Sequence, residues 1–396
     1  MSISHLDRLK SDIDECVPDL VATRRDLHAH PELAFEEVRT SSIIAQRLQK
    51  LGLEVQTEEA KTGVVGLLRG GAADAKAKTL AIRADIDALP IHELNEVDYR
   101  SQVDGKMHAC GHDGHTAIAL AVAALLMKRR AELKGNVTFL FQPAEEVFGG
   151  AKPMVEQGAM REVDGVIGLH LISDMPLGTV GVRSSSVCAS ADKLVLTVKG
   201  KGGHAADPHG AVDPIVIAAY ITTVLQTLIS RETSPFNPSV VSISTINAGT
   251  AFNIIPEEVV MSGTVRAFTS EHREYLLRRI EEVTGGIAQS MNGSCEVEIH
   301  PGTPPCVNDP AMTELVQHVA TAVVGKEHLV TSEEVMSTGS DDMAYFLQSA
   351  PGCYFKVGAR KECAAYPHHH PRFDIDEAAL PIAVEMLSRV ALEYLG

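Results

Sequence analysis

Apolar residues recur along the first half of the chain at two alternating periods. Leu6 to Leu27 keeps helical spacing, and Pro31 disfavours helix at His30. Thr40 to Leu51 is a second amphipathic helix, stopped by Gly52. Val64 to Leu68 and Thr79 to Arg83 are short apolar runs of strand type. Thr116 to Arg130 is rich in alanine and leucine and predicts a helix. Asn136 to Phe141 and Gly165 to Leu169 predict two more strands. Strands alternating with helices predict an α/β fold with a mostly parallel sheet covered on both faces. Ligands of such sheets bind beyond the carboxyl ends of the strands. Asp85, Asp87, Glu145, Glu146 and His170 all fall at such ends.

The pattern then changes. Lys193 to Lys199 alternates as a half-buried strand, and Pro214 to Ile229 is a long apolar helix. Val240 to Thr245 and Val259 to Phe268 read as strands, Glu271 to Met291 as an amphipathic helix, and Cys295 to His300 as a last strand. The order βαββαβ suits a small ferredoxin-like sandwich. Residues 187–302 are therefore expected to form an inserted domain, with 1–186 and 303–396 forming the main one. Pro310 to Val324 and Met343 to Gln348 resume as helices, Cys353 to Val357 as a strand, and Asp376 to Leu395 as the closing helix.

Composition narrows the function. Thirty-five basic against 52 acidic residues leave a formal charge of −17, which argues against nucleic acid as a partner. No run approaches the length of a membrane span, and Met1 to Pro18 lacks the apolar core of a signal peptide. The seven cysteines are scattered and odd in number, so reduced thiols and a cytoplasmic location are expected.

The candidate chemistry is concentrated in Met107-His108-Ala109-Cys110-Gly111-His112-Asp113-Gly114-His115. Thiolate and imidazole suit borderline divalent metals. An irregular loop would aim Cys110 and His112 at one point, and the reading places this stretch before the helix that starts at Thr116. Glu146, His170 and one histidine of His368 to His370 complete the candidate ligands. Five such side chains exceed one structural zinc and suit two ions with a shared ligand and a water. Glu145, next to Glu146, is free to take a proton from that water. In the insert, the glycine-rich turn Lys199 to Ala206 presents His204 and lacks phosphate-loop spacing. Asn253 offers an amide, and Arg266 a guanidinium that fits a carboxylate bidentately.

These segments, with Arg24 to Glu37, Ala84 to Pro90, Gln142 to Glu146, Gly263 to Phe268 and His369 to Glu377, resemble the metal-dependent N-acyl-amino-acid amidohydrolases. The likeness is to the hippurate hydrolase and auxin-conjugate hydrolase branch of the aminoacylase/carboxypeptidase superfamily. It spans nearly the whole chain in order, and Cys-Gly-His-Asp with Pro-Ala-Glu-Glu is highly specific. The resemblance implies a two-metal catalytic domain and a smaller lid domain that dimerises. It implies metal ligands Cys110, His112, Glu146, His170 and His369, Glu145 as general base, and His204 acting at the substrate carbonyl from the partner subunit. Asp85 and Asp87 stand where many relatives have His-x-Asp. Asp341 and Met343 replace a Glu and a Phe common in relatives, so the acyl preference does not carry over. The implied activity is hydrolysis of N-acetyl, N-benzoyl or indoleacetyl amino acids with two ions of Mn, Zn, Co or Ni. Arg266 and Asn253 would hold the product-side carboxylate, and a homodimer is expected. The rivals are a dipeptidase or carboxypeptidase of the same superfamily, a cysteine-nucleophile hydrolase using Cys110, and a non-catalytic binding protein.

Overall fold

The structure, a computed structural model, describes residues 5–74, 76–362 and 365–396, so Cys363 lies outside the described residues. The chain divides into two compact units. The first comprises Met1–Ser185, Val307–Met336 and Asp342–Gly396, and the second Ser186–Cys306 and Ser337–Asp341.

The first unit is built on an eight-stranded sheet. Its four central strands, Asn136–Gln142, Thr79–Asp85, Gly165–Ile172 and Gly352–Gly358, run parallel in that spatial order. Toward both edges the pairing includes antiparallel neighbours, so the sheet is mixed rather than parallel throughout. The central strands are buried almost end to end, which is why they read as continuous apolar runs. Edge strand Glu54–Glu59 escaped prediction. Its sequence EVQTEE has no apolar alternation because most of it faces solvent, and charge on an edge resists pairing with other chains.

Two helix boundaries differ from expectation in ways that matter. The helix after the Cys-His stretch spans His112–Lys128 and so starts before Thr116. Gly111 caps it at φ 90°, a left-handed conformation that glycine adopts without penalty. His112, Asp113 and His115 are thus helical, and only Cys110 stays in the preceding loop. The helix is apolar on nearly every face because it lies between helices His5–Ala29 and Ala379–Leu395 as well as on the sheet. The closing helix begins at Ala379, not Asp376; the preceding residues form turns.

The second unit has a four-stranded antiparallel sheet ordered Ser239–Ala248, Glu258–Ala267, Asp192–Lys199, Ser294–Pro301. Helices Pro214–Thr227 and Ser270–Ser290 pack on it around Leu194, Leu196, Ile221, Leu225, Leu276 and Ile280. Length and composition would let Pro214–Glu232 cross a membrane, against the expectation of no such stretch. Here its buried side, with Ile217, Ile221 and Leu225, forms the core of this unit.

Candidate metal centre

The sheet of the first unit delivers the ligand-type side chains from separate elements. Cys110 comes from the loop that ends at Gly111, and His112 is the first residue of the helix. Glu145 and Glu146 lie in a single 3-10 turn flanked by Ala144 and Phe148, both at φ 54°. His170 lies within strand Gly165–Ile172, two residues short of its end rather than at it. His369 sits in a loop at φ 65°, tied by its N–H to Ala109 O at 2.8 Å.

These residues converge. Cys110, His112 and His170 form one group of potential ligand atoms, and Cys110, Glu146 and His369 another, so Cys110 is common to both. Cys110 Sγ lies 3.5 Å from His170 Nε2, and His369 Nε2 lies 3.3 Å from Glu146 Oε2.

The hydrogen bonds say which nitrogens are available. His112 Nδ1 is 3.0 Å from Asp87 O, and His170 Nδ1 is 2.9 Å from Leu171 O. A carbonyl only accepts, so each ring donates through Nδ1 and turns Nε2 to the centre. His112 Nε2 and Glu146 Oε1 are buried without hydrogen-bond partners among the described residues. Buried acceptors left unpaired at the meeting point of thiol, imidazoles and carboxylates fit a pair of divalent cations.

Three residues expected near the chemistry are accounted for differently. His115 meets Asp85 Oδ1 through Nδ1 at 2.6 Å and accepts Leu171 N–H on Nε2 at 3.0 Å, so both of its nitrogens are committed. Asp85 also receives Arg83 at 2.8 Å. Asp87 accepts the N–H groups of Glu145 and Glu146, each at 3.1 Å. Asp87 thus stands behind Glu145 and Glu146, whereas Asp85 Oδ2 lies 3.6 Å from His112 Nε2 and forms a further group of potential ligand atoms with His112 and His115.

Electrostatics follow from this packing. Burial lowers the affinity of His112 for a proton, but Asp85 and Cys110 more than reverse that and hold it well above the usual imidazole range. Cys110 and Glu146 push His369 up to about 10. Thiol and carboxylates thus favour positive charge at His112 and His369, a charge that a bound cation would replace, whereas burial and the neighbouring imidazoles His115 and His368 hold His170 well below the usual range. Burial pushes the Cys110 thiol up, with Glu146 adding to the effect. A buried thiol of raised pKa is a poor nucleophile, which counts against the cysteine-hydrolase reading.

The sequence reading missed residues that brace the site from a distance. Glu37 accepts Ala144 N–H at 2.9 Å and the Thr62 hydroxyl at 2.5 Å, and so holds the backbone just before Glu145. Arg83 also reaches Gln142 at 2.8 Å and Asp342 at 3.1 Å. Arg24 and His28 are fully buried against Asp113. Of these only Arg83, a charge inside the apolar run Thr79–Asp85, carried a signal in the sequence.

In the second unit, His204 pairs with Ile254 in a two-residue ladder, and Ala205 N–H donates to Asn253 O at 3.1 Å. His204 and Asn253 are thus neighbours, both exposed. Arg266 is half-buried and donates to Ser340 Oγ at 2.9 Å. It lies eight residues along its strand from Glu258, the end nearest His204. At ~3.3 Å per residue that is roughly 26 Å, so one chain does not bring Arg266 to His204.

Fold and centre together define an α/β hydrolase with a site for two divalent ions. The chain belongs to peptidase family M20/M25/M40, which it matches over residues 81–393. It is 40% identical to the N-acetylcysteine deacetylase of Bacillus subtilis, over 94% of this chain and 96% of that one. It is 38% identical to the IAA-amino acid hydrolase ILR1-like 2 of Arabidopsis thaliana, over 95% and 85% respectively. Among solved structures, the YXEP protein of Bacillus subtilis, described as a dinuclear metal binding peptidase of the M20 family, aligns with TM-score 0.85 at 36% identity, over 96% of this chain and 99% of that one. The protein is a metallo-hydrolase of this family.

Proposed function

We propose that the enzyme hydrolyses the amide bond of N-acyl amino acids, releasing a carboxylic acid and a free amino acid. The observation that carries this is the convergence of Cys110, His112, Glu146, His170 and His369 beside Glu145. The names of the relatives, a deacetylase of N-acetylcysteine and a hydrolase of an indoleacetyl conjugate, support the substrate class. A relative named as a carboxypeptidase, from Saccharolobus solfataricus, keeps peptide substrates as the second reading.

The five residues would hold two ions, which supply Lewis acidity and lower the pKa of a water. Manganese, zinc, cobalt and nickel all suit one thiolate among imidazoles and carboxylates. Glu145 takes the proton of the attacking water on its carboxylate and returns it to the leaving nitrogen. Its turn is held by Asp87 on the main chain. His204 donates to the oxyanion as the carbonyl becomes tetrahedral. Arg266 pairs with the carboxylate of the amino-acid part, with Asn253 as a further donor.

Because Arg266 lies at the far end of strand Glu258–Ala267 from the ladder that holds His204, we propose that a site uses His204 and Asn253 from one subunit and Arg266 from the other. The edge strand Ser239–Ala248 and the helix beside it expose Ile246, Ile215, Val216 and Tyr220, and Phe252 is fully exposed. Exposed apolar residues around an unpaired strand edge support a symmetric dimer through this unit. The six described cysteines are all free, which supports a reducing, cytoplasmic setting.

The test is turnover of N-acetyl, N-benzoyl and indoleacetyl amino acids, with dipeptides alongside, by protein stripped with chelator and reloaded with each metal. Metal-dependent cleavage of N-acyl amino acids above dipeptides is expected. Full activity in the stripped protein would refute the reading.

A further inference from the structure

The run His368-His369-His370 places three imidazoles in three different surroundings. His370 stacks on Tyr366 at 4.6 Å between centroids, and its Nδ1 accepts Arg372 N–H at 3.0 Å, so it serves the turn. His369 meets Glu146. His368 stands edge-on to His170 at 4.9 Å and 79°, with Phe373 at 5.0 Å on another side. Its Nδ1 lies 3.7 Å from Cys110 Sγ. Its Nε2 is buried without a hydrogen-bond partner among the described residues.

That pattern is the reverse of the one at His112 and His170. There the outer nitrogen donates a hydrogen bond to a carbonyl and the inner nitrogen faces the centre, the arrangement of a ligating imidazole. If His368 bound an ion through Nδ1, its proton would sit on Nε2, a buried donor with nothing to receive it. Buried unpaired N–H groups are rarer than unpaired acceptors. The other tautomer places the proton on Nδ1, facing sulfur, and leaves only a lone pair unpaired on Nε2.

We propose that His368 is a positioning residue: its Nδ1–H donates a hydrogen bond to the Cys110 thiolate of the loaded centre. The bond fixes the direction of the sulfur and draws electron density from it, while His170 and Phe373 hold the ring in place. His368 is thus the second histidine of the run at the centre, alongside His369 and without being a ligand. The proposal rests on Cys110 being a metal ligand.

The test compares cobalt-loaded wild type with His368→Leu and His368→Asn, after thermal melts of each apo-protein establish folding. Asparagine carries an amide N–H close to the position of Nδ1. His368→Leu is expected to keep the wild-type number of cobalt ions per chain, to bind them 10- to 100-fold more weakly, and to move the thiolate-to-cobalt charge-transfer band to longer wavelength. His368→Asn is expected to move the band back. An unmoved band in His368→Leu at equal cobalt content overturns the proposal. So does loss of one ion, which would make His368 a ligand. A wild-type protein that takes up cobalt without any such band removes Cys110 from the ligands, and this inference with it.

Discussion

Glu145 and Glu146 are adjacent and chemically identical, and Asp87 holds both of their N–H groups on one carboxylate; the proposed reaction gives them different tasks. Glu145→Gln keeps the shape and removes the proton acceptor. Its kcat is expected to fall by roughly 10² to 10⁴, with unchanged metal content by elemental analysis. A near-normal kcat would remove Glu145 from the role of base. Asp87 acts only through others: its carbonyl takes the His112 proton and its carboxylate takes the two amides. Asp87→Ala should therefore weaken metal binding roughly 10- to 100-fold, the usual effect of losing an orienting partner, as read by competition with a chromophoric chelator. The ligand types were legible in the sequence because Cys, His and Glu are rare in such density. The division between ligand and orienting residue was not, since it depends on which nitrogen each carbonyl claims.

At the scale of elements, helix His5–Ala29 is fastened to helix His112–Lys128 by charge. Arg24 is fully buried and reaches Asp113 at 2.8 Å, Asp374 at 2.9 Å and Glu377 at 3.3 Å. His28 lies 2.8 Å from Asp113 and 3.3 Å from Glu93. Arg24→Met strands at least two buried carboxylates, so a loss of about 3–5 kcal/mol is expected from urea unfolding. Burial and the Arg24 guanidinium push the His28 imidazole down, but Asp113 and Glu93 outweigh them, and it is held above its ordinary 6.5. A group bound more tightly to its proton when folded stabilises fully below its unfolded pKa. That contribution fades as pH rises through the higher folded value. The stability advantage of wild type over His28→Gln should thus be largest below pH 6.5 and shrink at alkaline pH. An advantage independent of pH would mean that His28 acts by packing alone. Helix spacing gave no hint of this fastening, because an arginine or histidine in an amphipathic helix is usually on the wet face.

For the whole molecule, the proposed reaction needs His204 and Arg266 in one site. Within a single chain, Arg266 lies near one end of strand Glu258–Ala267, and His204 sits in a separate two-stranded ladder beyond the other end. Mixing His204→Ala with Glu145→Gln subunits, each inactive alone, should restore some activity once exchange is verified by mass. Each mixed dimer then holds one site with both residues intact. Exchange without any return of activity would confine His204 to its own chain or remove it from the reaction. Arg266→Ala should impair free-acid substrates far more than their amides; an equal loss would show that Arg266 does not read the carboxylate.

By itself the sequence determined the elements whose packing is periodic. The buried central strands, the βαββαβ order of residues 192–301 and the helix Pro310–Val324 all follow from apolar spacing, since one face of each must leave water. It also determined the inventory of ligands, because thiol, imidazole and carboxylate cannot be hidden among apolar residues. Tertiary structure decided the rest. It started a helix at His112, since Gly111 could turn left-handed and the carbonyl of Asp87 could take the ring proton. It committed both nitrogens of His115 to Asp85 and Leu171, and it separated His368 from His369 by giving one sulfur and the other a carboxylate. These outcomes turn on hydrogen bonds between residues distant in the chain, whose partners no local pattern names.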